Sequence, residues 1–259
     1  MIIEGRWALV TGASSGLGVK FSELLAQQKM NLVITARRKD RLESVASRIR
    51  AKYNTEVLVI QGDLSTPEMC HSLFEATELN GIQIDVLINN AGFGTQSLFT
   101  ETSWDNINAQ LQLNMVSLTH LTWLWAKRMS ERGHGTIMNV ASINAYMPIP
   151  NYATYAAGKA YVRNFTLAVA EELKTSGVHI TSLCPGPTAT EFTDIAGHTL
   201  APWQRKFLMP AERCARVGIG AISSRSKNTV VGWSNKAVVF SLRLLPTSIV
   251  TRMAGRIMR

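Results

Sequence analysis

Short apolar runs alternate with longer stretches of helical spacing along this chain. Trp7–Thr11, Asn31–Thr35, Glu56–Ile60, Asp85–Asn89, Thr136–Val140 and Val178–Leu183 read as strands, with a seventh at Thr229–Trp233. Between them, residues 19–29, 38–52, 67–79, 104–132 and 152–175 read as helices. Phe21, Leu24 and Leu25 share one face of the first, and Ser65-Thr66 and Pro67 open the third. Strands that are apolar throughout suit a parallel sheet covered on both faces. Strict alternation of strand and helix predicts right-handed crossovers and a doubly wound α/β fold of about seven strands. No linker or repeat interrupts residues 1–259, which predicts one domain with a C-terminal extension at about 236–259. Ligands in such folds sit at the carboxyl ends of the strands.

The chemistry clusters at those ends. After the first strand come Thr11, Gly12, Ala13, Ser14, Ser15, Gly16, Leu17 and Gly18. Glycine permits a tight turn and close approach to a phosphate, and the following helix start favours a pyrophosphate. Three glycines also suit any flexible turn. Asp63 and Leu64 end the third strand, where the carboxylate can accept from an adenine amine. Asn89, Asn90, Ala91 and Gly92 end the fourth, where small residues leave room for a ribose. A solvated loop Asp and an Asn-rich turn are the plain alternatives.

NAD sites place an acid at the end of the second strand to bind the ribose 2′-hydroxyl. Here Ala36 takes that place, followed by Arg37 and Arg38. An arginine fork suits a 2′-phosphate, and Ser14 adds a hydroxyl, so NADP(H) is expected over NAD(H). Cations at a helix start oppose its dipole, which argues against a merely solvated cluster.

Tyr155 and Lys159 stand at i and i+4, on one helix face. A nearby ammonium would lower a phenol from about 10 towards working pH, as a general acid/base requires. Tyr152 and Tyr161 have no lysine at that spacing. Ser142 follows the fifth strand, placed to hold a carbonyl oxygen. Asn114 lies within the long helix 104–132, where Asn is unfavourable unless its amide finds a partner. A helix irregularity with a bound water and a surface Asn are both open.

With these pieces in order, the chain resembles the short-chain dehydrogenase/reductase family over residues 6 to about 192. The carrying motifs are Thr11-Gly12-x3-Gly16-x-Gly18, Asn89-Asn90-Ala91-Gly92, Asn114, Ser142, Tyr155-x3-Lys159 and Pro185-Gly186-x3-Thr190. The resemblance implies that Ser142 polarises a carbonyl and that Tyr155 transfers the proton. It implies that Lys159 lowers the Tyr155 pKa and binds the nicotinamide ribose, and that Asn114 holds a relay water. Pro185, Gly186, Thr188 and Thr190 would contact the nicotinamide. It also implies a homodimer or homotetramer built on the two long helices. The branch most similar contains 3-oxoacyl thioester and hydroxysteroid reductases. An apolar set after the fourth, fifth and sixth strands (Phe93, Ile143, Met147, Ile149, Phe192, Trp203, Phe207, Met209) suggests a hydrophobic carbonyl or alcohol substrate, although core packing explains many of these. The expected function is an NADPH-dependent oxidoreductase. A cofactor-binding sensor or scaffold without turnover is the competing reading, disfavoured by the complete Ser142/Tyr155/Lys159 set.

Charge sharpens the end of the chain. The formal net charge is +9 and hydrophobic residues make up 46%. Residues 200–259 hold eleven Lys/Arg and one acid, Glu212, while the first 199 hold sixteen bases and seventeen acids. No zinc site, helix-turn-helix or aromatic-interleaved sheet accompanies the bases, so nucleic acid is not an expected partner. Ile249, Val250, Met253, Ala254 and Ile257 form an apolar helical face beside Arg252, Arg256 and Arg259. That helix suits docking on its own domain or a neighbouring subunit, an anionic membrane surface, or an acidic partner. Cys70, Cys184 and Cys214 are too few for a disulfide framework or metal site and read as buried hydrophobes. Glu4 and Arg6 interrupt any signal peptide, and no apolar run approaches the ~18–20 residues of a membrane span. The expectation is cytoplasmic, with peripheral membrane contact open.

Overall fold

The computed structural model describes residues 4–192, 196–197 and 208–257. Seven parallel strands run in the order β3-β2-β1-β4-β5-β6-β9. They are β1 (Trp7–Thr11), β2 (Asn31–Ala36), β3 (Val57–Gln61), β4 (Ile84–Asn89), β5 (Gly135–Val140), β6 (Val178–Cys184) and β9 (Asn228–Val230). A two-residue pair, β7 (Thr188–Ala189) with β8 (Met209–Pro210), lies outside this sheet. The helices are α1 (Gly16–Gln27), α2 (Lys39–Tyr53), α3 (Pro67–Leu79), α4 (Trp104–Leu111), α5 (Leu118–Glu131), α6 (Ala153–Glu172), α7 (Ala211–Ser223), α8 (Trp233–Leu242) and α9 (Thr247–Ile257).

The two-residue period of a strand explains the layers. Ala8, Val10, Leu32, Ile34, Val86 and Ile88 point to one face, against Phe21 and Leu25 of α1, Leu42 of α2 and Cys214 of α7. Leu9, Val33, Leu87 and Ile137 point to the other, against Leu73 of α3, Leu121 and Trp125 of α5, and Ala170 of α6. Burying each large side chain contributes ~1.5–3 kcal/mol. All three cysteines are buried and free.

A buried polar chain ties the sheet to α5 and α6. Asn89 Nδ2 donates to Thr122 Oγ1 at 3.1 Å and to Asn139 Oδ1 at 2.9 Å. Asn139 Nδ2 donates to Thr166 Oγ1 at 3.1 Å. Buried at low local dielectric, these bonds specify the register of β4 and β5.

Strand order reverses at β1, whose neighbours are β2 and β4. That reversal opens a crevice at the carboxyl ends, the expected ligand position. Two elements differ from expectation. The helix foreseen over 104–132 is divided by a π-helical segment, Gln112–Ser117. The seventh strand ends at Val230, and Trp233 begins α8 instead, because Gly232 turns the chain at φ +92°.

Candidate active site

The crevice is a cavity of about 970 Å³, near the top of the ~300–1,000 Å³ range of small-molecule sites. At one end stand Ser14, Ala36, Arg37, Arg38 and Asp63; at the other, Ser142, Tyr155, Lys159, Phe93, Met147, Ile149 and Phe192. Asp63 is the sole carboxylate among its described lining residues.

The first turn is built for close approach. Gly12 and Gly16 adopt φ of +66° and +54°. A Cβ on Gly18 would lie 2.2 Å from the Gly12 carbonyl oxygen, so only glycine lets α1 start under its own turn. Gly18 is buried there and, contrary to expectation, does not line the cavity; Gly12, Ser14, Ser15, Gly16 and Leu17 do. Ser15 caps α1 without a side-chain bond, and no acid occupies the first turn. The helix therefore presents free N–H groups and positive potential to the cavity, the donor set a pyrophosphate requires.

At the β2 end, Arg38 Nε and Nη2 make long contacts of 3.4 and 3.3 Å with Ser14 Oγ. A residue not foreseen from the sequence completes this corner. Glu191 takes a bond of 3.0 Å from Arg38 Nη1 and one of 2.5 Å from Arg41 Nη1. Hydrogen bonds from Arg41 and Arg38 hold its carboxyl below the usual glutamate value. Asp63 Oδ1 accepts from Ser65 N at 3.0 Å and Ser65 Oγ at 2.7 Å, so one oxygen fixes its own turn. Its Oδ2 lies 3.9 Å from Arg37 Nη1.

The floor is set by Thr11, whose Oγ1 accepts from Asn90 N and Ala91 N, both at 2.9 Å. Asn90 Nδ2 donates back to Thr11 O at 2.9 Å. Leu64, Ala91 and Gly92 line the cavity beside them, and Pro185, Gly186, Thr188 and Thr190 line the wall after β6.

At the apolar end, Tyr155 is buried and hydrogen-bonded to Ser142. Burial pushes the phenol well up, and the Ser142 bond opposes that. Ser142 Oγ accepts from Asn144 N at 3.1 Å, which fixes the hydroxyl after β5. Lys159 Nζ donates to Val140 O at 2.7 Å and lies 5.7 Å from the Tyr155 ring centre. Burial lowers Lys159 to about 8. The expected depression of Tyr155 by Lys159 does not appear here: burial raises the phenol, and Ser142, not Lys159, is the group that opposes it. The ammonium is aimed at a backbone carbonyl, and the Tyr155 side chain is buried.

Asn114 sits on the π-helical segment, buried, and does not line the cavity. Its Oδ1 accepts from Phe93 N at 3.1 Å and its Nδ2 donates to Phe93 O at 2.7 Å. The helix irregularity foreseen around it is present, and its amide clamps the loop after β4. A Cβ on Gly92 would fall 2.7 Å from Asn114 Oδ1 and 3.5 Å from Lys159 Nζ, so Gly92 is what lets that loop pass between them. Among the expected substrate walls, Phe93, Ile143, Met147, Ile149 and Phe192 line the cavity. Met209 does not; it packs on the core around α7. Trp203 and Phe207 lie outside the described residues. The sequence reading missed Tyr152 and the C-terminal Val238, Leu242, Leu245, Val250, Met253 and Ala254, all of which contribute to the lining.

A doubly wound parallel sheet, a glycine turn opening α1 and Ser142, Tyr155 and Lys159 in the same crevice are the features that this chain shares with one protein family. The chain belongs to the short-chain dehydrogenase family: the family model described as short chain dehydrogenase matches residues 6–200. It is 34% identical over 200 residues to the very-long-chain 3-oxoacyl-CoA reductase of Rattus norvegicus, covering 76% of this chain and 64% of that one. It therefore matches just under two thirds of that relative's length. It is also 34% identical over 191 residues to human 17-beta-hydroxysteroid dehydrogenase type 3, covering 73% and 61%. Among solved structures, a short-chain dehydrogenase from Sphingobium yanoikuyae in complex with NADPH superposes with a TM-score of 0.83 at 27% identity, covering 92% of this chain and 93% of the other.

Proposed function

We propose that this chain is an NADPH-dependent carbonyl reductase acting on an apolar ketone, aldehyde, 3-oxoacyl or steroid-like substrate. The observation that carries this reading is one continuous cavity with the Arg38–Ser14 corner at one end and the hydrogen-bonded Tyr155–Ser142 pair among apolar walls at the other. The relatives' names, a 3-oxoacyl-CoA reductase and a hydroxysteroid dehydrogenase, point to the same substrate classes.

The cofactor fits the residues present. The open α1 terminus would take the pyrophosphate, Asn90, Ala91 and Gly92 the adenosine ribose, and Arg37, Arg38 and Ser14 the 2′-phosphate. Ala36 leaves no acid at the end of β2 itself to repel that phosphate. Lys159 would hold the nicotinamide ribose, and Pro185, Gly186, Thr188 and Thr190 the nicotinamide. When bound, the nicotinamide supplies or takes the hydride.

The chain's own residues do the rest. Ser142 Oγ donates to the substrate oxygen and orients its carbon. Tyr155 gives its proton to that oxygen as negative charge develops. Burial keeps the phenol protonated at neutral pH, which prepares it as an acid for reduction. Phe93, Ile149 and Phe192 exclude water around the reacting carbon.

By family resemblance the chain is a homo-oligomer; the exposed Val116, Trp123 and Tyr161 on the two long helical stretches offer apolar surface for it. Tyr155→Phe removes the proton donor while leaving the cavity in place. Carbonyl reduction should fall by ~10²–10⁴-fold with NADPH binding retained. Undiminished reduction would refute the assignment. NADPH binding by the wild type with no turnover on any carbonyl would favour the sensor reading.

A further inference from the structure

The last two helices, α8 and α9, have a docked face and an open one. Val250 and Ala254 of α9 are buried, and Gly255 abuts Pro150, so one face of α9 is docked on the domain. The opposite face is not. Ile249 and Met253 are 45% and 52% exposed, Leu244 71%, Phe240 64% and Trp233 85%. Val238, Leu245 and Met253 are exposed and also line the cavity, so the cavity's mouth opens within this apolar surface.

Lys236, Arg243, Arg252 and Arg256 are exposed around the same surface, and none has an ion-pair partner among the described residues. No acid occurs after Glu212. Lys236 lies over the Trp233 ring at 5.1 Å from its centre, an amphipathic pairing suited to an interface between water and hydrocarbon. No helix of the described residues is long and apolar enough to cross a membrane.

We propose that α8 and α9 form a docking face for an anionic lipid bilayer, with the apolar side chains entering the headgroup boundary and the four bases meeting lipid phosphates. The cavity mouth then faces the bilayer. Charge selects this occupant over a second copy of the chain. A two-fold contact through this face would bring the same unpaired bases together. Apolar burial plus basic attraction is the physics of a helix lying in a membrane surface.

The test is sedimentation of the full chain with vesicles of phosphatidylcholine alone or with a third phosphatidylglycerol. The wild type should bind the anionic vesicles, bind neutral ones weakly, and dissociate as salt rises. Arg252→Gln with Arg256→Gln should lower partitioning by about 25-fold, at about fivefold per charge. A second variant, Phe240→Ser with Leu244→Ser, should lose binding to both compositions. NADPH affinity, read separately, should stay unchanged in both variants and so report their folding. Absence of wild-type binding to anionic vesicles would overturn the proposal. So would binding that neither variant weakens, or variants that alter only the oligomeric state.

Discussion

Glu191 is bonded to Arg38, which the proposed 2′-phosphate would engage, and removing its charge gives a graded test. It holds Arg38 at 3.0 Å and Arg41 at 2.5 Å, with side-chain exposures of 37%, 45% and 43% for Arg38, Arg41 and Glu191. Pairs this open to solvent contribute about 0.2–1 kcal/mol each, so the two together contribute about 0.4–2 kcal/mol. An incoming phosphate must displace that carboxylate or share the guanidinium with it. Glu191→Gln keeps the shape and removes the charge. NADPH should then bind about 2- to 30-fold more tightly, while NADH changes by less than about twofold. Titration of both cofactors into wild type and variant measures the ratio, and added salt should shrink the difference. Equal changes for the two cofactors, or weaker NADPH binding, would refute the assignment of Arg38 to the phosphate. Glu191 also neighbours Phe192, whose ring lies 5.3 Å from that of Tyr155, so the same segment spans both ends of the cavity.

Other predictions rest on burial. Lys159 stands at about 8 in the folded protein against an ordinary 10.5. The penalty for its buried charge is therefore complete below about pH 8 and is lost as pH rises towards 10.5. Between pH 7 and 9 the wild type should gain about 1 kcal/mol of unfolding free energy relative to Lys159→Met, measured by denaturant melts; a pH-independent difference would contradict the buried charge. Asn139 is fully buried and bonded to Asn89 and Thr166, so Asn139→Ala should destabilise by about 2–3 kcal/mol in the same melts. Gly18→Val puts a Cβ onto the Gly12 carbonyl and should abolish cofactor binding in either form, read by calorimetry.

Much of this was legible because it depends on short-range pattern. Continuous apolar strands declared a sheet covered on both faces, and the glycine spacing declared a turn against a helix start. Asn114 stood out as a poor helix residue, and the helix does loosen there, although its amide holds the Phe93 backbone. Glu191 was not legible: 150 positions separate it from Arg41, and nothing in its own neighbourhood marks it as a partner. The C-terminal residues gave an amphipathic face, but periodicity states which residues share a face and not what lies beneath. Val250 and Ala254 turn inward onto the cavity, Met253 stands exposed at its mouth, and Ile249 is exposed without lining it. The Lys159–Tyr155 spacing was read as a charge acting on a phenol. Spacing carries no information on desolvation, which in the fold governs both groups.

The most direct test of the whole account is NADPH consumption by the purified chain with a panel of bulky ketones, aldehydes, 3-oxoacyl thioesters and sterols, run in parallel with NADH. The account predicts turnover of at least one apolar carbonyl, faster with NADPH than with NADH. Turnover of none with either cofactor, by a protein that binds NADPH, would contradict it.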